Sequence, residues 1–257
     1  MSQQSTGAAG HVHGRISDDE WQVRVELAAT YRLIALYGWD DLIFTHISAR
    51  VPGPEHHFLI NPYGLLFEEI TASSLVKIDL DGNKVGDSPY RVNPAGFTIH
   101  SAVHSARPDA QCVIHLHTVD GVAVASQAGG LSPISQQAMV MDAIAYHDYE
   151  GVALDLDERE RLITDLGTKY WMILRNHGTL AVGRSCADAF MRMYYLERAC
   201  SVQVRALAGN VPINRTVQGV AEKAGGQGRE GFGGELPDLA WPALLRKLDR
   251  LDPSYRH

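Results

Sequence analysis

The run QCVIHLHT, residues 111–118, sets two histidines at a spacing that one β-strand would present together. Side chains alternate along a strand, so His115 and His117 point to one side, their backbones roughly 7 Å apart. Val113 shares that side, while Cys112, Ile114 and Leu116 face the other, the core side. Two neutral imidazoles on one strand face suit zinc, iron, copper or nickel. On spacing alone, two surface histidines on an edge strand fit equally well. A third histidine, His177, sits in an Asn176-His177-Gly178 turn between the apolar runs WMILRN and TLAVG, where a bulky ring has no packing role. Held beside the His-x-His strand, it would complete a three-ligand site with open coordination positions, the pattern of catalytic rather than closed structural metals. A histidine that only caps its own turn is the alternative.

Other chemistry-bearing residues carry less. His100 and His104 lie four apart on a predicted helix, but a zincin motif needs Glu directly after the first His, and Ser101 stands there. They read as helix residues, one towards the core and one near solvent. His56 and His57 fall in a turn, and His11, His13 and His257 in tails. No Gly-x-Ser-x-Gly elbow occurs and no cysteine carries a signature of activation. The adjacent pairs Glu68/Glu69, Asp18/Asp19 and Asp40/Asp41 read as caps or solvated faces.

The elements that must position these residues follow from the pattern. Ser17 and Glu20 form an N-cap and capping-box pair ahead of helically spaced Trp21, Val25, Leu27, Ala28, Tyr31, Ile34 and Ala35, with Gly38 as the stop. LIFTHISARV and HFLINP read as strands, TASSLV as a short helix from Thr71, and VKIDLDG as a strand with an Asp81-Gly82 turn. Thr98 to Ala106 reads as helix, stopped by Pro108. GVAVASQAG and Asp155 to Leu166 read as further helices, and Ser185 caps a long one from about Ala187 to Leu207. The expected organisation is a flexible tail at 1–16, one domain at 17–208, a Gly-rich linker at 209–237 and an amphipathic helix at 238–257. That helix carries Asp238 as cap and Trp241, Leu244, Leu245, Leu248 and Leu251 on one stripe.

Composition narrows the partners. The 257 residues include 30 acidic and 23 basic side chains, net charge -7, with 12 histidines and 3 cysteines. An acidic chain without a Lys/Arg cluster excludes nucleic acid and anionic membrane as expected partners. No apolar run approaches ~18 residues, so no membrane span is expected. The first residues have neither the basic nor the apolar region of a secretory signal. Three widely spaced cysteines fit a reducing cytoplasm rather than a disulfide framework. No Gly-rich nucleotide loop follows any strand.

Taken together, GWDDLIFTHISARV, FLINPYGLLFEEITASSLVKID, NPAGFTIHSAVHSARPDAQCVIHLHT, SPISQQAM, AYHDYEG and ILRNHGTLAVG resemble the class II aldolase/adducin family, in the family's order, from about Asp18 to Leu207. The likeness is greater to the adducin head and its bacterial relatives than to the sugar-phosphate aldolases. It implies an α/β fold, a three-layer α/β/α sandwich around a central, largely antiparallel sheet, assembled as a homotetramer. It implies that His115, His117 and His177 bind a divalent metal, zinc in most members, with manganese or iron as alternatives. The metal would chelate a hydroxy-carbonyl substrate and stabilise an enediolate.

The departures from the family pattern matter as much. Counting back from Arg107-Pro108-Asp109, the family's catalytic glutamate falls at Gly96, which can neither ligate metal nor move a proton. The serines before it are Pro94 and Ala95. The two phosphate loops appear as Thr45-His46-Ile47-Ser48 and Asn61-Pro62-Tyr63-Gly64, making His46, Asn61 and Tyr63 the substrate-binding candidates. The family's tyrosine falls near Gln136 or Gln137. The resemblance therefore implies a metal-dependent carbon–carbon lyase acting by aldol cleavage or decarboxylation on a small non-phosphorylated hydroxy or keto acid, with no catalytic residue assigned. A non-catalytic adducin-like scaffold and a metal-dependent binding module are the alternatives.

Overall fold

The computed structural model describes residue 12 and residues 14–151, 158–209 and 211–257. In chain order the first half holds α1 (Asp18–Leu36), β1 (His46–Arg50), β2 (Phe58–Ile60), β3 (Val76–Ile78), α2 (Pro94–Ala106), β4 (Cys112–Leu116) and α3 (Val119–Ala125). Then come α4 (Gln136–Met139), β5 (Ile144–His147), α5 (Glu158–Leu166), β6 (Trp171–Leu174), β7 (Gly178–Gly183), α6 (Cys186–Ala208), α7 (Val220–Gly233) and α8 (Leu236–Leu251).

Helix α1 starts as its sequence predicts. Ser17 Oγ accepts from the Glu20 amide at 3.1 Å, and three acidic side chains in the first turn complement the helix dipole. Its end is followed by Gly38 at φ +67°. Seven strands form one sheet in the order β3-β2-β1-β4-β7-β6-β5, antiparallel throughout except for the parallel β5–β6 pair. The alternation expected for β4 holds. Cys112, Ile114 and Leu116 join the larger core with α1 and α6, whereas Val113 joins a second core on the opposite face with Ile99, Val103 and Leu162 of α2 and α5. Helices thus cover both faces, the expected three layers.

Three local expectations are corrected. No helix begins at Thr71. A single 3-10 turn spans Phe67–Glu69, and Thr71 and Ser74 then bond to each other's backbone, the competition that keeps such residues out of helices. The stretch 209–237 is not simply a linker, because α7 occupies Val220–Gly233 within it. Its glycines allow close packing: a Cβ at Gly228 would overlap the Val140 carbonyl, and one at Gly225 would press on Asp142. The last helix begins at Leu236, with Asp238 in its first turn rather than at the cap. Its stripe docks on the domain through buried Trp241 and Leu248. Beyond it the Ala72 amide donates to the Tyr255 carbonyl and the Ser73 amide to the His257 carbonyl, both at 2.9 Å. The expected tail at 1–16 lies largely outside the described residues. Strand β5 and the short α4 carried no sequence expectation. Among the described residues no helix is long and apolar enough to cross a membrane.

Candidate metal centre

Three neighbouring strands build the site. β1 and β7 flank β4, with His46 paired opposite His115 and Leu180 opposite His115 on the other side. His117 follows the end of β4. His177 stands in the turn between β6 and β7, its amide donating to the Leu174 carbonyl at 3.0 Å. Asn176 before it takes φ +57°, a left-handed conformation that asparagine tolerates better than most residues.

The structure brings the three predicted ligands together. Nε2 of His115 and of His117 are 3.0 Å apart, and one nitrogen from each of the three rings falls within 4.8 Å of the others. Tetrahedral zinc with ~2.0 Å bonds holds its nitrogens about 3.3 Å apart. Hydrogen bonds fix which nitrogens are bare. Nδ1 of His115 lies 3.0 Å from the Thr179 carbonyl oxygen, and Nδ1 of His117 lies 3.1 Å from Asp41 Oδ2. Both oxygens accept, so each Nδ1 donates, and in the neutral ring each Nε2 then keeps its lone pair. Two lone pairs 3.0 Å apart repel unless a cation draws them together, so the donor set fits a divalent metal.

Burial keeps His115 and His177 neutral. His115 is 2 % exposed and is driven well below the ordinary imidazole value by burial, with His177 and His117 adding to the effect. Burial also pushes His177 down to about 4, helped by His117 and His147. These two rings need lose no proton to bind metal at neutral pH.

Sequence reasoning missed the residues that hold these ligands. Asp41, read as a cap or solvated pair, is the partner of His117. Gly178 is more than a turn residue: a Cβ there would overlap the Leu116 carbonyl and crowd His117 Cδ2 at 3.1 Å and His115 Cε1 at 3.3 Å. Behind the site, Glu197 of α6 is 2 % exposed and accepts from Thr118 Oγ1 and, at 2.7 Å, from Thr179 Oγ1. It therefore ties together the residue after His117 and the residue whose carbonyl orients His115. Burial pushes the Glu197 carboxyl up to about 7. Tyr149, exposed at the rim, has its ring 6.0 Å from that of His177.

A second polar layer lies beside the centre, where α2 packs over β1. His100 and His104 are both fully interior, which corrects the expectation that one faces solvent. Ser48 Oγ sits between them, 2.6 Å from His100 Nδ1 and 2.7 Å from His104 Nε2, and His104 Nδ1 lies 3.0 Å from the Ala110 carbonyl oxygen. His46, buried, has its ring 6.0 Å from that of His100, and Nε2 of each has no hydrogen-bond partner among the described residues. Burial, with His117 and His177 adding, pushes His46 down to about 3. Of the substrate-binding candidates, His46 thus adjoins the histidine cluster. Asn61 is instead tied inside the core, its Oδ1 2.9 Å from the Tyr31 hydroxyl. Tyr63 bridges to Arg91, its amide donating to the Arg91 carbonyl at 2.8 Å. Neither hydrogen-bonds to the three histidines. Gly96 lies in the first turn of α2.

Comparison with known proteins agrees with this architecture. The model of the "Class II Aldolase and Adducin N-terminal domain" matches residues 25–204. A Caulobacter vibrioides protein, named provisionally as an aldolase class 2 protein, is 58 % identical over 247 residues, covering 94 % of this chain and 95 % of that one. Rat alpha-adducin is 43 % identical over 89 % of this chain, which spans 33 % of the adducin's own length. The crystal structure of an aldolase II superfamily protein from Pseudomonas syringae superposes with a TM-score of 0.91 at 50 % identity, covering 96 % and 99 % of the two chains. L-fuculose 1-phosphate aldolase from Glaciozyma antarctica PI12 follows with 0.81 at 26 % identity, covering 100 % and 97 %. With its fold, its matched length and its three convergent histidines in agreement, the chain belongs to the class II aldolase and adducin family.

Proposed function

We propose that the protein is a divalent-metal-dependent carbon–carbon lyase that cleaves or decarboxylates a small, non-phosphorylated hydroxy or keto acid. The observation that carries this reading is the pair of bare Nε2 atoms of His115 and His117, 3.0 Å apart, each fixed by an acceptor on its own Nδ1, with His177 completing the set. Zinc is the first choice for three imidazoles, and iron or manganese the alternatives. When bound, such an ion supplies Lewis-acid stabilisation of an enediolate or comparable carbanion.

The chain's own groups would do the rest. His115 and His177 stay neutral and available as ligands, and Asp41 and the Thr179 carbonyl hold two rings in orientation. Gly96 offers no proton acceptor at its place on α2. Tyr149, whose ring lies 6.0 Å from that of His177, and His46 would hold a substrate hydroxyl or carboxylate. Assembly as a homotetramer is part of the same proposal, and light scattering of the purified protein tests it.

The decisive measurement is metal content by mass spectrometry after anaerobic loading with Zn²⁺, Mn²⁺ or Fe²⁺, with His115→Ala and His177→Ala alongside. The reading expects one ion per chain in the wild type and loss in both variants. A screen of hydroxy and keto acids then looks for turnover. Equal metal in all three proteins would remove the lyase reading and leave an adducin-like scaffold.

A further inference from the structure

At the end of β6 and β7 remote from the histidines, the domain holds a second cavity. Strand β7 carries His177 just before its first residue and Arg184 just after its last, roughly 20 Å apart along the strand. The cavity, about 320 Å³, is lined by Lys169, Tyr170, Arg184, Arg192, Arg229 and Phe232 among others. It is closed on one side by α7, the Gly-rich helix. Its volume falls at the lower end of the range for small-molecule sites, ~300–1,000 Å³.

Arg192 is the unusual group. Its residue is 4 % exposed, and its guanidinium carbon lies 3.9 Å from the centroid of Tyr170, 4.9 Å from Trp171 and 5.3 Å from Phe232. Its Nε donates to Asp188 Oδ1 at 2.8 Å, while its two terminal nitrogens make no hydrogen bond among the described residues. Asp188 is shared, because its Oδ2 takes the Arg184 amide at 2.9 Å and faces Arg184 Nε at 3.4 Å. Burial lowers the Arg192 pKa from its ordinary value, and Asp188 offsets this only in part. Arg229 pairs with Asp142, and the half-buried Lys169 makes no ion pair among the described residues. Four cations thus face two carboxylates. A guanidinium held among three aromatic rings, with N–H groups left free towards the cavity in such a surplus, suits an anion, and its fork matches tetrahedral oxyanions.

We propose that this cavity is a binding site for a compact phosphate dianion, either inorganic phosphate or the phosphomonoester of a small metabolite, distinct from the metal centre. The surplus of two positive charges matches a dianion, and the volume leaves space for a short organic group beside the phosphate. The proposal does not depend on lyase activity.

The test is calorimetric titration of the full-length protein, stripped with EDTA and in a zwitterionic buffer, with inorganic phosphate, glycerol 3-phosphate and succinate. The expected result is saturable one-site binding of the two phosphate probes, and weaker or absent binding of succinate. Lys169→Gln and Arg192→Lys should each weaken phosphate binding on the order of tenfold or more. The remote, exposed Arg246→Gln and the metal-site variant His177→Ala should leave it unchanged. Tighter glycerol 3-phosphate than phosphate points to a phosphomonoester, and the reverse to free phosphate. Unsaturable heats, succinate binding as tightly as phosphate, unchanged affinity in Lys169→Gln, or loss of binding in His177→Ala would each overturn the assignment. Lys169→Gln carries the test if Arg192→Lys does not fold.

Discussion

Ser48 Oγ and His100 Nδ1 are 2.6 Å apart inside the protein, and the direction of that hydrogen bond is fixed from a distance. The Ala110 carbonyl can only accept, so His104 Nδ1 donates to it and His104 Nε2 accepts the Ser48 hydroxyl proton. Ser48 Oγ is then left to accept from His100 Nδ1, and His100 Nε2 ends the chain as a bare lone pair beside His46. Both histidines should therefore carry their proton on Nδ1. Long-range ¹H–¹⁵N spectra of the histidine side chains test this, and a proton on Nε2 of His100 would reverse the assignment. Ser48→Ala removes the link and strands two buried polar groups. It should release His100 to the Nε2–H form and cost about 2 kcal/mol or more of unfolding free energy.

Asp41 holds His117 through Nδ1 at 3.1 Å, so its effect should appear in metal affinity rather than in folding. Outer partners of metal-bound histidines are worth roughly 10- to 100-fold in affinity. Asp41→Ala should weaken Zn²⁺ binding by that order in chelator competition, with a small change in Tm because the carboxylate is partly exposed. Asp41→Asn, which keeps an acceptor oxygen but not the charge, should fall between. Unchanged affinity in both variants would mean that His117 is oriented by something else.

Gly178→Ala is the most economical test of the site's backbone. The added methyl meets the Leu116 carbonyl and the rings of His115 and His117 at once, and none of these can move without shifting β4 against β7. The substitution should cost about 1–3 kcal/mol, as overpacking does, and lower the metal bound per chain measured by mass spectrometry. Gly129→Ala, where a Cβ meets nothing within 4 Å, serves as the control.

The ligands were legible because their signals are local. Period-two alternation placed His115 and His117 on one side of β4, and Asn-His-Gly marked the turn that carries His177. Asp41 was not legible, since its bond to His117 joins residues 76 apart and nothing in Asp40-Asp41 anticipates it. Glu197 was hidden for a related reason: on a 23-residue helix with mixed faces, only the packing of α6 on β7 decides which polar side chain is sealed in. Helix α7 failed differently. Glycine lowers helix propensity by about 1 kcal/mol per residue, so AGGQGREGFGG read as a linker. Contact with Val140 overrides that preference, because only a residue without a Cβ fits there.

Buried neutral histidines give metal-free protein a defined acid sensitivity. His46 and His104 are held at about 3 and His177 at about 4, below the ordinary 6.5, chiefly by burial. As pH falls below 6.5 the unfolded chain takes up these protons first, so the stability they contribute is full above 6.5 and lost towards 3. Glu197, raised to about 7, works against them within part of the window. Urea midpoints of EDTA-treated protein should fall between pH 6.5 and 5.0, with a limiting slope of at least about 3 kcal/mol per pH unit, because His100 and His115, which burial also lowers, add to these three histidines. Zn²⁺ should raise the whole curve without changing its slope in this window through His177, which at about 4 is already deprotonated in the folded protein there. A flat profile without metal would mean that the histidines are accessible to protons.

Glu197 supplies the opposite sign, and so a prediction that separates it from every histidine. Its carboxyl titrates near 7 in the folded protein against an ordinary 4.5, because burial disfavours the charge more than the two threonine hydroxyls favour it. A raised carboxyl contributes its full stability below 4.5 and loses it as pH rises through 7. Glu197→Gln is nearly isosteric and cannot ionise, so it escapes that loss. The difference in unfolding free energy between variant and wild type should therefore move in the variant's favour by about 3 kcal/mol from pH 4.5 to pH 8. Whatever the substitution costs in hydrogen bonds with Thr118 and Thr179 enters equally at both pH values, so only the pH-dependent part bears on the carboxylate. A difference that stays constant with pH would show that Glu197 is charged throughout, with a cation or water supplying what the two threonines do not.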